Sequence, residues 1–257
     1  MRVSAGVLVC VLAIAGCEKK AASSKGAAAP SSSAVMSPRE RLDASLKVYR
    51  EAKTYRDEGT AVATQDGGPP FTLPFSTAFE RGGRFKFEFR FGRDPVTGIA
   101  STREINRTGA VWSSDGKIFT FQETPGGPNE HGTAALQIAK ATGISWGVAG
   151  TLVPCLLGDT ALIEKLSDLK DAGQETVDGV ECWKIAGATQ LPGYSMTLWI
   201  GGDGLVRRVR HEIERDFSKS RAFEGKQPPP KSTSTTTISF KPVLNEETIE
   251  ASRFEVE

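Results

Sequence analysis

The 257 residues carry 32 Lys+Arg against 31 Asp+Glu, a formal net charge of +1, and 39% of them are hydrophobic. That balance argues against a nucleic-acid binder and against a domain held to an anionic membrane by its own charge, since both rely on a basic excess. After residue 17 no apolar run reaches the length of a membrane-spanning helix.

The chain opens with Arg2, an apolar run over residues 7–14, and small residues leading to Cys17. A core this short reads as a signal peptide over residues 1–16. The ending Ile14-Ala15-Gly16-Cys17 resembles the lipobox of bacterial lipoproteins. The resemblance implies that Cys17 is diacylated and becomes the first residue, giving an extracytoplasmic, periplasm-facing protein anchored by acyl chains. An ordinary signal peptide with an incidental cysteine is the alternative. In the enterobacterial sorting pattern an Asp after that cysteine means retention. Here the residue is Glu18, which favours the outer membrane in a cell with two. Residues 17–36, rich in Ala, Ser, Lys and Gly, lack the apolar side chains that offset ordering, and read as a disordered tether with a reach of about 24 Å.

Residues 37–257 suffice for one substantial core. Ser37-Pro38-Arg39-Glu40 has the form of a capping box with proline at the first helical position. Leu42, Leu46, Tyr49 and Ala52 follow at helical spacing, predicting a helix with one narrow apolar face.

The period then changes to two. Residues 55–64 and 73–81 alternate, and residues 84–91 do so without a fault, setting Phe85, Phe87, Phe89 and Phe91 against Arg84, Lys86, Glu88 and Arg90. Residues 101–107 read as another strand. Asp115-Gly116 signals a two-residue hairpin loop, which places Trp112 opposite Phe119 and Ala110 opposite Phe121 on the aromatic face. The middle of the chain, about 133–171, turns helical. Ile138, Ile144, Trp146, Leu152 and Val153 are punctuated by Gly143, Gly147 and Gly150, and a third apolar helix follows Pro154 through Leu169. Strands return over residues 180–186, 195–200, 205–217 and 232–241, with GGDG at 201–204 as a tight connection and QPPPK at 227–231 as a loop. The STSTTT run at 232–237 reads as an exposed or edge strand, and Phe254 and Val256 as a last short strand.

The elements therefore predict one α+β domain dominated by a single meandering antiparallel sheet, with one oily face that the helices of the insert cover on its concave side. Phenylalanines on such a face are ordinarily packed core. With a glycine-spaced apolar insert above them they also suit a hydrophobic ligand cavity lined by Phe85, Phe87, Phe89, Phe91, Trp112, Phe119, Phe121, Trp146 and Leu152. Of four cysteines, Cys10 leaves with the signal peptide and Cys17 is the lipid site. Cys155 and Cys182 then remain in an oxidising compartment and are expected to bond, the alternative being two buried thiols.

The order of short pieces across the mature domain resembles the lipoprotein-carrier superfamily, the LolA/LolB-like proteins and outer-membrane lipoprotein-sorting relatives. The pieces are RLDASLKVYREAKTYRDEGTAV, FSTAFERGGRFKFEF, VWSSDGKIFTF, GQETVDGVECWKI and TLWIGGDGLVRRV. The resemblance implies a single antiparallel, strongly curved sheet forming an unclosed half β-barrel of about eleven strands, with helices plugging its concave face, that binds acyl chains or other greasy ligands as a carrier or receptor, not as a catalyst. The expected partners are a lipid or a lipoprotein acyl chain, the membrane through the N-terminal anchor, and an envelope protein as a further possibility, with no nucleic acid and a monomeric state.

The chain has two histidines, His131 in a PNEHG loop and His211 in a charged strand, and no nucleophile elbow, HExxH, phosphate loop or dinucleotide fingerprint. Asp203 in GGDG lacks the accompanying oxygen ligands of a calcium loop. No cofactor, metal or catalytic residue is expected. The alternative function is an envelope sensor or scaffold acting through an edge strand or the Arg207–Arg210 face, and a hydrolase ranks behind both.

Overall fold

In the computed structural model Ser37 accepts a hydrogen bond from the Glu40 N–H, and the Glu40 carboxylate accepts from the Ser37 N–H at 2.8 Å. This box starts α1 (Pro38–Glu51), whose buried side chains are Leu42, Ser45, Leu46 and Tyr49; such a cap stabilises by about 1 kcal/mol. The described residues are 36–90, 108–124, 126–215, 231–246 and 248–255. The expected signal peptide, Cys17 and its tether, Phe91, the strand over residues 101–107, Phe217 and Val256 lie outside them.

Five strands and a short sixth follow α1: β1 (Thr54–Gln65), β2 (Phe71–Glu80), β3 (Phe85–Arg90), β4 (Thr108–Ser113), β5 (Phe119–Gln122) and β6 (Glu130–Gly132). The insert holds α2 (Ala134–Ile144), α3 (Val148–Thr151), α4 (Val153–Leu156) and a 3-10 turn, Leu162–Lys165. The second run is β7 (Ser167–Val177), β8 (Val180–Ala188), β9 (Tyr194–Gly201), β10 (Val206–Arg215), β11 (Ser232–Ser239) and β12 (Val243–Leu244).

All pairs are antiparallel in one sheet of order β6-β5-β4-β3-β2-β1-β11-β10-β9-β8-β7, with β12 extending β11 along β1. The outermost strands β6 and β7 do not meet, so the sheet is an unclosed half-barrel. Its inner face and the helices share one core. Phe75, Phe79, Phe85, Phe87, Phe89, Phe119 and Phe121 pack there with Leu42 and Leu46 of α1 and Ile138, Val148, Leu152 and Leu156 of the insert.

Several elements differ from the sequence reading. The 113–119 hairpin pairs Trp112 with Thr120 and Val111 with Phe121, one residue away from a two-residue loop. The Asp115 carboxylate accepts from the N–H groups of Lys117 and Ile118, at 2.9 and 3.3 Å, and so folds a longer turn. A one-residue slip reverses every side chain. Val111 and Phe121 therefore face inward, and Trp112 sits opposite Lys86 on the outer face.

The third apolar helix does not run to Leu169, because the chain forms a 3-10 turn and enters β7 at Ser167. The STSTTT run is not an edge. As β11 it lies between β1 and β10, its β-branched residues supplying a central strand that joins the two halves of the chain. The tail around Phe254 is a 3-10 turn, Ala251–Phe254, rather than a strand.

Candidate functional site

Between the insert and the inner face lies a cavity of about 430 Å³. It is lined by Phe71 of β2, Ala63 and Gln65 of β1, Ser234 and Thr236 of β11, His211, Ile213 and Arg215 of β10, and Tyr194 of β9. Thr142, Gly143, Trp146 and Gly147 roof it from the end of α2 and the turn that follows. The volume falls in the range of small-molecule pockets, roughly 300–1,000 Å³.

The roof is conformationally unusual. Trp146 has φ 52° and Gly147 φ 89°, two consecutive left-handed residues that reverse the chain between α2 and α3. For tryptophan this region is strained, and such strain persists only where the surroundings enforce it. Here the indole meets Phe71 edge-on at 6.2 Å, while Phe71 itself is 42% exposed at the cavity mouth.

Beneath Gly147 lies His211, 2% exposed. A Cβ at position 147 would stand 3.0 Å from the imidazole Cε1. The Thr151 hydroxyl donates to the Gly147 carbonyl at 2.8 Å, which leaves its oxygen to accept from His211 Nε2 at 3.5 Å. The Tyr194 hydroxyl then donates to Nδ1 at 2.9 Å. Both ring nitrogens are thus satisfied in the neutral form, and burial lowers the pKa to about 4. The sequence reading placed His211 on a solvated strand face. Its parity with Val209 and Ile213, both inward, was the signal that its charged neighbours obscured.

A second hollow of about 480 Å³ is bounded by Ala134, Ile138, Thr142, Gly150, Pro154, Leu157 and Leu162, entirely from the insert and the loop after it. Thr142 borders both spaces, with Cγ2 2.8 Å from where a Cβ on Gly150 would stand.

Of the cavity residues singled out in the sequence, Phe85, Phe87, Phe89, Phe119, Phe121 and Leu152 come together, each at most 3% exposed, in the packed core. Their rings contact one another, Phe85 with Phe119 at 5.7 Å and Phe87 with Phe89 at 5.9 Å. Among the described residues of the set only Trp146 borders the 430 Å³ cavity, and Phe89 borders a smaller hollow of about 190 Å³. Trp112 is turned to the other face, as described above.

Cys155 and Cys182 are both buried and free, so the expected disulfide is not formed. Cys155 belongs to the main core, its Sγ 3.7 Å from Glu164 Oε1, whereas Cys182 joins Val177 and Trp199 in a separate cluster. Burial pushes the Cys155 thiol up to about 12 and raises that of Cys182 as well.

Deep in the core Asp57, 2% exposed, accepts from the Tyr55 hydroxyl at 2.8 Å and the Lys241 N–H at 3.1 Å. Burial raises its pKa to about 7 against these two bonds. His131 meets Thr120 Oγ1 at 2.9 Å on β6 and lies far along the sheet order from His211 on β10. Among the described residues no group of three or more His, Cys, Asp or Glu is placed to hold a metal, and no helix is long and apolar enough to cross a membrane.

Neither a family model nor a curated protein matches the sequence. Among solved structures the chain is similar to LprF from Mycobacterium bovis, at 13% identity over 79% of this chain and 91% of that one, TM-score 0.42. It is similar to the lipoprotein LppX from Mycobacterium tuberculosis, at 10% identity over 79% and 93%, TM-score 0.41. A LolA superfamily protein from Nitrosomonas europaea is similar at 6% identity over 86% and 99%, TM-score 0.34.

Proposed function

We propose that the protein is an extracytoplasmic lipoprotein, anchored through an acylated Cys17 and a tether over residues 17–36, whose half-barrel domain binds a hydrophobic ligand as a carrier or receptor. The observation that carries this reading is the cavity between the insert and the inner face, bordered by Phe71, Trp146, Ala63 and Ile213. An open sheet of this shape leaves its concave side to be filled, and here the fill is incomplete where the Trp146 turn arches over β1, β11 and β10. Burial of an alkyl chain there would contribute about 0.8 kcal/mol per methylene. Entry and release would proceed by movement of the left-handed Trp146–Gly147 turn, which breaks the helical run between α2 and α3.

The test is to purify the protein from an envelope fraction under mild conditions, weigh it by native mass spectrometry, and extract it with organic solvent. A stoichiometric lipid that disappears on extraction supports the reading. A protein of bare polypeptide mass that takes up no added lipid overturns it.

A further inference from the structure

The inward residues of β10 change character with depth: Arg215 is exposed, Ile213 half-buried and His211 buried. All three line the cavity. Among the described residues Arg215 is the one with a full charge in that lining, and no carboxylate of theirs lines it. Two described acids on the flanking segments are already engaged. Glu214 accepts from Lys231 at 2.8 Å, and Asp66 accepts from the Thr233 N–H at 2.7 Å and the Ser232 hydroxyl at 3.0 Å. Among the described residues Arg215 has no ion pair of its own.

The floor has the opposite character. His211 is neutral, with each nitrogen committed to Tyr194 or Thr151. A charged group carried to that depth would find no counter-ion among the described residues, only the neutral Thr236 hydroxyl opposite His211, and burying a charge unpaired is strongly unfavourable. The cavity therefore sorts an amphiphile by its ends.

We propose that the ligand of this cavity is a single-chain amphiphile with an anionic head, a long-chain carboxylate or phosphate monoester, bound with the head at the rim on Arg215. The alkyl chain runs inward under Trp146 to the His211–Tyr194 pair. This rests on the hydrophobic-ligand reading above and specifies its chemistry and orientation. The volume accommodates about a dozen chain atoms at ~30 Å³ each, so one chain fits. The Gln65 and Ser234 side chains flank the rim as neutral hydrogen-bonding groups, and the guanidinium fork matches the two oxygens of a carboxylate or phosphate.

The experiment uses a bromine-tagged dodecanoate and the corresponding bromo-alcohol, read through tryptophan quenching on the whole protein, the Trp146→Phe variant, Arg215→Gln and Ser234→Phe. Arg215 is exposed, so its substitution leaves the fold intact. The expected result is quenching that vanishes in Trp146→Phe, affinity for the acid lowered about tenfold in Arg215→Gln with the alcohol unchanged, and loss of both in Ser234→Phe. Equal loss of acid and alcohol in Arg215→Gln, or no loss, overturns the head assignment. Binding that persists in Ser234→Phe without quenching of Trp146 overturns the location while hydrophobic carriage stands. Displacement of the acid by inorganic phosphate at similar concentration overturns the amphiphile in favour of a simple anion site. Failure of either probe to bind overturns the proposal, and copurified lipid on the same sample then decides whether carriage itself survives.

Discussion

Phe89 on β3 lies flat over Gly109 on β4: a Cβ at position 109 would stand 2.2 Å from the ring Cζ and within 2.9 Å of two further ring atoms. Phe75 covers Gly59 in the same way, one strand pair further along. The aromatic face therefore depends on glycines as much as on phenylalanines, because only a bare backbone lets rings this large lie down on the inner surface of the sheet. Gly109→Ala is expected to cost about 1–3 kcal/mol by overpacking. Phe89→Leu in the same chain should recover part of that loss, and urea unfolding of the two single variants and the double one measures the coupling. Additive losses would mean that ring and glycine are independent.

The two faces of β3 differ less simply than strict alternation suggests. Phe87 is fully buried, so Phe87→Asp places an unpaired charge in the core and is expected to unfold the domain. Glu88 on the outer face is not a plain surface residue. It pairs at 2.7 Å with Lys86, whose side chain is only 9% exposed and also donates to the Glu255 carbonyl. Glu88→Lys is accordingly expected to cost about 1–3 kcal/mol, since Lys86 would lose its partner and gain a like charge, whereas Glu88→Gln should cost less than half as much. Chemical denaturation midpoints of the three variants order these effects.

Free thiols in the fold predict that oxidising conditions add no stability. Alkylation of the denatured, unreduced protein should modify the peptides carrying Cys155 and Cys182, while the native protein protects both, because burial disfavours each thiolate. Recovery of a Cys155–Cys182 linked peptide would contradict the separate burial of the two sulfurs.

How far the sequence could be read follows from which signals are local. The capping box at Ser37, the alternation through Phe85, Phe87 and Phe89, and the glycine-broken insert are all short-range patterns, and each appears in the structure where the residues put it. Chain order of helix, strands, insert and strands then led to one sheet covered by the insert, and the resemblance to the lipoprotein-carrier superfamily to its unclosed half-barrel form. What was not legible depended on long-range pairing or on one residue of register. Nothing within STSTTT says that it will sit between β1 and β10, and Asp115-Gly116 gives no sign of the carboxylate turn that rotates Trp112 outward. Cavity residues escaped for a related reason. Phe71, Tyr194, His211 and Arg215 come from three strands, β2, β9 and β10, brought together only by sheet order. The hydrophobic pattern, by contrast, marked the rings that pack most tightly.

Two buried titratable groups, His211 and Asp57, pull stability in opposite directions with pH. For His211 the folded pKa, about 4, lies below the ordinary 6.5. Its unfolded form takes up protons first as pH falls, so its contribution is complete above 6.5 and is lost between about 6.5 and 4. For Asp57 the folded value, about 7, lies above the ordinary 3.8. Here the folded form holds its proton longer, so the contribution is complete below 3.8 and is lost as pH rises to about 7. Each shift corresponds to a swing on the order of 3 kcal/mol, and over most of the window between 4 and 6.5 the two nearly cancel. The protein should therefore show a flat melting temperature from pH 4.5 to 6.5 as far as these groups govern it. Replacing one exposes the other. Asp57→Asn, which keeps an acceptor for the Lys241 N–H and a polar partner for the Tyr55 hydroxyl, should leave a protein whose melting temperature climbs with pH across that window. His211→Gln should leave one whose melting temperature falls. Calorimetric scans of the two variants at matched ionic strength decide the matter. Parallel slopes of the same sign would show that the Tyr194–His211 and Tyr55–Asp57 pairs do not titrate as their burial dictates.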